Sequence, residues 1–88
     1  MKSCNSTKLV IEYADLKSDK IIGEIDISTY DLAVINQLCP PEIADDLEYC
    51  NGGFIEKDQF SLLQEYITEL KPFTFGEYDY CIMTYGIS

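Results

Sequence analysis

Residues 8–27 read KLVIEYADLKSDKIIGEIDI, and this stretch decides the fold. Apolar and polar side chains alternate on both sides of a polar turn at residues 15–19, which is the pattern of two strands that each bury one face. In the first strand Ile11 and Glu12 point to opposite faces. In the second strand Ile25 points to one face, and its neighbours Glu24 and Asp26 point to the other. The stretch therefore predicts a β-hairpin.

A helix is expected directly after the hairpin. Apolar residues recur at helical spacing from Leu32 to Leu38. We expect the hydroxyl of Ser28 to cap this helix, with Asp31 in the first turn, where the helix dipole favours negative charge. Pro40-Pro41 ends it, because proline has no backbone amide to donate and restricts the residue before it.

The strongest helical pattern lies between residues 56 and 72. Four apolar residues fall at positions i, i+3, i+7 and i+10, and Lys71-Pro72 ends the run. They are Phe60, Leu63, Ile67 and Leu70. The pattern predicts a helix with one apolar face.

Two further strands complete the predicted fold. Asn51-Gly52-Gly53 is typical of a tight turn or bulge that leads into a short strand. Residues 77–85 alternate again, with Tyr78 and Tyr80 on a face that we expect to be mostly core. Residues 42–48 form a short acidic segment, for which one helical turn is the expected structure. We predict a single α+β domain over residues 1–88, in the order β-β-α-β-α-β, with a mostly antiparallel sheet of about four strands and two helices on one face.

Acidic residues dominate the charge of the chain. There are 16 Asp and Glu against 6 Lys, with no Arg or His, for a net charge of −10. Residues 1–20 carry a net charge of +1, and residues 21–88 carry −11. Such a surface repels nucleic acid and anionic membranes and attracts basic proteins. Solubility alone is the plain alternative explanation of this acidity.

The residue types argue against catalysis. Without His there is no Ser-His-Asp or Cys-His nucleophile, and without Arg there is no bidentate phosphate clamp. Gly52 and Gly53 match no phosphate-binding motif, and neither gives a calcium-binding register. We therefore expect a protein that is not an enzyme and uses no cofactor or metal, with a small carboxylate-based enzyme as a remote alternative.

Cysteine spacing and the N-terminus bear on the compartment. The four cysteines match no zinc-binding or Cys-x-x-Cys pattern: Cys4, Cys39, Cys50 and Cys81. The first residues carry no apolar run of a signal peptide, and no stretch approaches the length of a membrane span. We expect reduced thiols and a cytoplasmic location.

Two acidic clusters lie beside tyrosines and are the candidate partner-binding residues. Carboxylates accept charge-assisted hydrogen bonds from Lys and Arg, and Tyr supplies rigid apolar area with a polar tip. The first cluster comprises Glu42, Asp45, Asp46, Glu48 and Tyr49, and the second contributes Glu77 and Asp79. A solvated loop and an ordinary strand are the structural alternatives.

Four short motifs carry a resemblance to a known family. They are Gly23-Glu-Ile-Asp-Ile-Ser28, Cys39-Pro40-Pro41, Asp45-Asp-Leu-Glu-Tyr-Cys50 and Tyr78-Asp79-Tyr80. Together they resemble the small acidic domains of bacterial polymorphic toxin systems, such as the immunity proteins of contact-dependent growth inhibition. The resemblance implies a protein that neutralises a toxin nuclease delivered by neighbouring cells.

Charge and resemblance lead to the same functional hypothesis. We predict an immunity protein that occludes the basic cleft of a nuclease toxin in a 1:1 complex, with the protein as a monomer. The expected toxin cleaves RNA or tRNA. No direct contact with nucleic acid or membrane is expected. The alternatives are a phage-encoded nucleic-acid mimic, such as an anti-CRISPR or anti-restriction protein, and a housekeeping adaptor whose acidity only confers solubility.

Overall fold

The computed structural model describes residues 6–43, 45–47, 49 and 52–86, and its architecture confirms the predicted α+β class. Four strands form one antiparallel sheet in the order β2-β1-β4-β3. The elements are β1 Ser6–Asp15, β2 Ile21–Asp26, α1 Leu32–Leu38, β3 Gly53–Phe54, α2 Lys57–Tyr66, a 3-10 helix Thr68–Leu70 and β4 Tyr78–Gly86.

The predicted hairpin is formed by β1 and β2. Its turn is held by Asp15, whose carboxylate accepts from the amide of Ser18 at 3.0 Å and from its hydroxyl at 2.8 Å. These bonds lower the pKa of Asp15. Asp19 takes the left-handed conformation (φ 59°), which Asp tolerates because its short side chain can bond locally. The long strand β4 then pairs with the other edge of β1.

One hydrophobic core lies between the sheet and the helices. Strand residues whose side chains point to one face meet the apolar faces of both helices and of the 3-10 helix. The fully buried members of this core include Ile11, Ile27, Ile35, Leu63, Ile67, Leu70 and Ile82. The alternation predicted for β1 and β4 is therefore confirmed, with Tyr80 buried and Tyr78 half-buried on the core side.

The start of α1 differs from the sequence prediction. The helix begins at Leu32, and its cap is Asp31, whose side chain accepts from the amide of Ala33 at 2.9 Å. The hydroxyl of Ser28 instead accepts a hydrogen bond from the backbone amide of Leu9 at 2.9 Å, which ties the chain that follows β2 to β1. Both residue types cap helices well, so local sequence favours neither. The long-range bond to Leu9 decides between them.

The second helix is shorter than its apolar pattern. α2 ends at Tyr66, and the chain continues as the 3-10 helix Thr68–Leu70. All four apolar residues of the pattern are nevertheless buried. Gln64 holds the following turn by donating to the carbonyls of Leu70 at 3.1 Å and Phe73 at 2.7 Å.

The face of the sheet opposite the helices is called the outer face below. Among the described residues, every helix packs on the other side. The outer face carries Lys8, Val10, Glu12, Ala14, Glu24, Asp26, Phe54, Asp79, Cys81, Met83 and Tyr85.

Candidate functional site

The acidic segment between α1 and β3 is a series of turns. The amide of Asp46 donates to the carbonyl of Ile43 at 2.8 Å, that of Tyr49 to Asp46 at 3.0 Å, and that of Gly52 to Tyr49 at 2.9 Å. The described residues 42, 43 and 45–47 contain no helix, whereas one helical turn is expected there from the sequence. Glu48, one of the predicted partner-binding residues, lies outside the described residues.

Tyr49 is a core residue, and the structure contradicts its prediction as a partner contact. Its side chain is fully buried. Its hydroxyl donates a hydrogen bond to the backbone carbonyl of Cys39 at 2.5 Å and accepts one from the side-chain amide of Asn36 at 3.0 Å. Burial raises the pKa of Tyr49 to about 12. The ring anchors the acidic segment to the end of α1, so no partner can reach it.

Most of the other described residues of the acidic segment are exposed. Glu42 and Asp45 are exposed, and Asp46 is half-buried. Two apolar side chains between them, Ile43 and Leu47, are each 53% exposed. The segment therefore presents both negative charge and apolar area to solvent.

Glu42 connects this segment to the sheet. Its carboxylate accepts a hydrogen bond from the backbone amide of Phe54 at 3.0 Å. Phe54 belongs to the two-residue edge strand β3, and its own side chain is 70% exposed. The bond therefore places the acidic segment beside an exposed aromatic ring on the outer face.

The second predicted cluster reaches the same surface from β4. Glu77 is exposed in the turn before the strand, and Asp79 is exposed on the outer face. Asp79 lies two residues, about 7 Å, along β4 from Cys81, and Cys81 pairs with Phe54. Asp79 and Phe54 are thus diagonal neighbours, within reach of one partner side chain. The fold therefore places one carboxylate of each acidic cluster, Glu42 and Asp79, beside Phe54.

One row of the outer face crosses all four strands. Glu12 on β1 pairs with Glu24 on β2 and with Cys81 on β4, and Cys81 pairs with Phe54 on β3. Two carboxylates, one thiol and one aromatic ring therefore lie side by side. We call these four residues the cross-strand row.

Sequence reasoning selected none of these four residues as a binding residue, and Glu12 is the most buried of them. It is only 8% exposed. Burial and then the negative charge of Glu24 raise the pKa of its carboxyl group. The alternation of β1 puts the side chain of Glu12 on the face of the sheet opposite that of Ile11. This alternation was the signal in the sequence that could have identified Glu12. The sequence did not show that its neighbours would be another acid and a thiol.

The remaining charges of the outer face are partly paired. Lys8 donates to the carboxylate of Glu24 at 2.6 Å, and this bond raises the pKa of Lys8. Asp26 accepts from the amide of Ser28 at 2.9 Å, which lowers the pKa of Asp26. Asp79 and Glu12 add negative charge, so among the described residues of this face four acids accompany one lysine.

Other chemistry is restricted within the described residues. They contain no group of three or more His, Cys, Asp or Glu side chains placed to hold a metal ion. Burial raises the pKa of the free thiols of Cys39, to about 11, and of Cys81, so thiolate chemistry is disfavoured. None of their helices is long and apolar enough to cross a bilayer.

Comparisons with family models, with curated proteins and with solved structures find no significant match to this chain.

Proposed function

We propose that this protein is an immunity protein that binds a basic nuclease toxin domain and occludes its nucleic-acid-binding cleft. The observation that carries the proposal is that Glu42 and Asp79, one carboxylate from each acidic cluster, lie beside Phe54, whose ring is exposed. One surface then offers both the charge and the apolar area that a protein partner needs.

The charge supports a basic partner. A nuclease must carry cationic side chains in its cleft to hold the phosphates of its substrate. A protein of net charge −10 is drawn to such a cleft and can replace the negative charge of the nucleic acid. Inhibition of this kind requires complementarity and tight binding, and no catalytic group.

The apolar side chains support a protein partner in particular. Phe54, Ile43 and Leu47 are all more than half exposed. Exposed aromatic and aliphatic residues supply most of the binding energy of protein interfaces, while surrounding charges set association rate and specificity. The carboxylates would therefore steer the encounter, and these three side chains would hold the complex.

The resemblance to immunity domains supplies the biological setting. It implies an inhibitor made inside the cell that receives the toxin, so the proposal places the protein in the cytoplasm as a monomer in a 1:1 complex. The free thiols of Cys39 and Cys81 agree with a reducing compartment. An RNA- or tRNA-cleaving toxin is the proposed target.

The direct test pairs the protein with the toxin domain encoded immediately upstream of its gene. The two purified proteins are mixed, and complex formation and RNA cleavage are measured over a range of salt concentrations. We expect a 1:1 complex, loss of cleavage at equimolar inhibitor, and affinity that falls as ionic strength rises. Undiminished cleavage in excess inhibitor would refute the proposal.

A further inference from the structure

We infer that the carboxylate of Glu12 binds a Lys or Arg side chain of the partner. That side chain lies on the outer face, between Glu12 and the ring of Phe54. This inference rests on the proposed function and locates its contact surface on the sheet, not only on the acidic loop. It adds a residue that neither predicted cluster contains.

The first argument is that Glu12 has no hydrogen-bond or ion-pair partner among the residues that the structure describes. The side chain is 92% buried, yet no described residue donates a hydrogen bond to its carboxylate. Of its two neighbours across the sheet, Glu24 repels it, and Cys81 offers only a weak thiol donor. Lys8 is committed to Glu24. A buried carboxylate without a counter-charge is costly, and an incoming cation relieves that cost.

The second argument is that the carboxylate can be reached. Every side-chain oxygen or nitrogen that is completely buried among the described residues has a hydrogen-bond partner. Since Glu12 has none, its oxygens keep some contact with solvent. That contact opens on the outer face, because Ile11 and Tyr13 on either side of it point into the core. A long, flexible side chain can use such a narrow approach.

The third argument is that Phe54 stands at the right distance. It is separated from Glu12 by the one strand that carries Cys81, which corresponds to about 10 Å across the sheet. The four-carbon stem of a lysine or the chain of an arginine can lie against the ring while its head reaches the carboxylate. Asp79 and Glu42 flank the same ring and favour a cationic occupant.

The charge of the face also selects this occupant over a second copy of the chain. Two copies packed through their outer faces would place the carboxylates of one copy, Glu12, Glu24 and Asp79, against an equally acidic face of the other. Like charges placed together at an interface cost several kcal/mol. A basic partner meets the same groups with opposite charge.

The test is binding of the upstream-encoded toxin domain to single variants. Glu12→Gln keeps the shape and removes the charge, and Phe54→Ser removes the ring. We expect each to weaken binding at least about 30-fold, the usual effect of breaking a desolvated charge pair or removing an aromatic anchor. Matched controls lie on α2, where Glu65→Gln and Leu62→Ser should change affinity less than about 3-fold.

A second measurement separates contact from folding. Glu12→Gln removes an unpaired buried charge, so the free variant should melt no lower than the wild type, while the complex is weakened. Affinity unchanged by Glu12→Gln, or weakened together with a lower melting temperature, would overturn the inference and leave the proposed function standing. If the wild type binds no toxin, both fail. A wild-type dimer that Phe54→Ser dissociates would assign the face to a second copy and overturn the basic-partner inference.

Discussion

The carboxylate of Glu42 accepts a hydrogen bond from the backbone amide of Phe54, with 3.0 Å between Oε2 and N. This amide lies on the outer edge of β3, where a foreign strand would otherwise pair. Glu42 therefore closes the sheet edge and fixes the acidic segment beside the exposed ring. Its contribution to the surface is structural as well as electrostatic.

Glu42→Ala should destabilise the protein by about 1 to 2 kcal/mol, because the Phe54 amide loses its acceptor. Glu42→Gln keeps an acceptor oxygen in the same place, and we expect it to retain most of that stability. Urea denaturation of the two variants measures the difference. Asp45→Ala, an exposed neighbour in the same segment, is the control and should change stability by less than about 0.5 kcal/mol. Equal stability of the Ala and Gln variants would contradict the assigned bond.

Tyr49→Phe should cost about 1 to 3 kcal/mol of unfolding free energy. The substitution keeps the ring but leaves the Cys39 carbonyl and the Asn36 amide without their common partner in the core. Thermal and chemical denaturation report the loss. Tyr85→Phe, at a partly exposed tyrosine on the outer face, serves as the comparison and should be close to neutral. Because Tyr49 is buried, the folded variant should bind the toxin as tightly as the wild type does.

Asp79→Lys and Asp45→Lys should each slow association with the toxin domain several-fold at low salt. Both carboxylates are exposed on the proposed contact surface, and reversing one replaces attraction with repulsion during the encounter. Stopped-flow kinetics at low and high ionic strength measure the effect, which should shrink as salt is added.

Glu65→Lys makes the same change of charge on an exposed position of α2 and serves as the control for these two variants. It should alter the association rate less. Equal slowing by all three would mean that only net charge matters and that the contact surface is elsewhere.

The stability difference between Glu12→Gln and the wild type should depend on pH. The pKa of Glu12 is raised above its ordinary value of 4.5, so the folded protein holds this proton more tightly than the unfolded chain does. The wild type therefore loses stability relative to the variant as pH rises from 4.5 through the raised pKa, and the difference is constant above it.

Denaturation midpoints of both proteins between about pH 4 and pH 7 test this dependence. Glu24→Gln should reduce it, because the like charge across the sheet is removed. A difference that stays constant over the whole range would show that Glu12 is not perturbed as described.

Most of the fold follows from local patterns in the sequence. Alternation in residues 8–27 and 77–85 predicts β1, β2 and β4 and their faces, and the apolar spacing from Phe60 to Leu70 identifies the residues of α2 and the 3-10 helix that enter the core. These predictions succeed because strand and helix periods are properties of neighbouring residues along one chain.

Predictions that depended on contacts between distant residues were less successful. Ser and Asp are both favourable helix-capping residues, so the sequence does not decide between Ser28 and Asp31. In the structure the Ser28 hydroxyl accepts a hydrogen bond from the amide of Leu9, and Asp31 caps the helix. Tyr49 sits among acids in the sequence, and only the position of the Cys39 carbonyl at the end of α1 shows that its hydroxyl points inward.

By itself, the sequence determined an acidic α+β domain with two carboxylate clusters and no His or Arg for catalysis. Only the tertiary structure decided that Glu42 and Asp79, one residue from each cluster, lie beside Phe54 and that Glu12 lies in a row with Glu24 and Cys81. The physical reason is that alternation assigns a side chain to a face, whereas strand order and register assign its neighbours. These are set by long-range packing of the core, which no local pattern records.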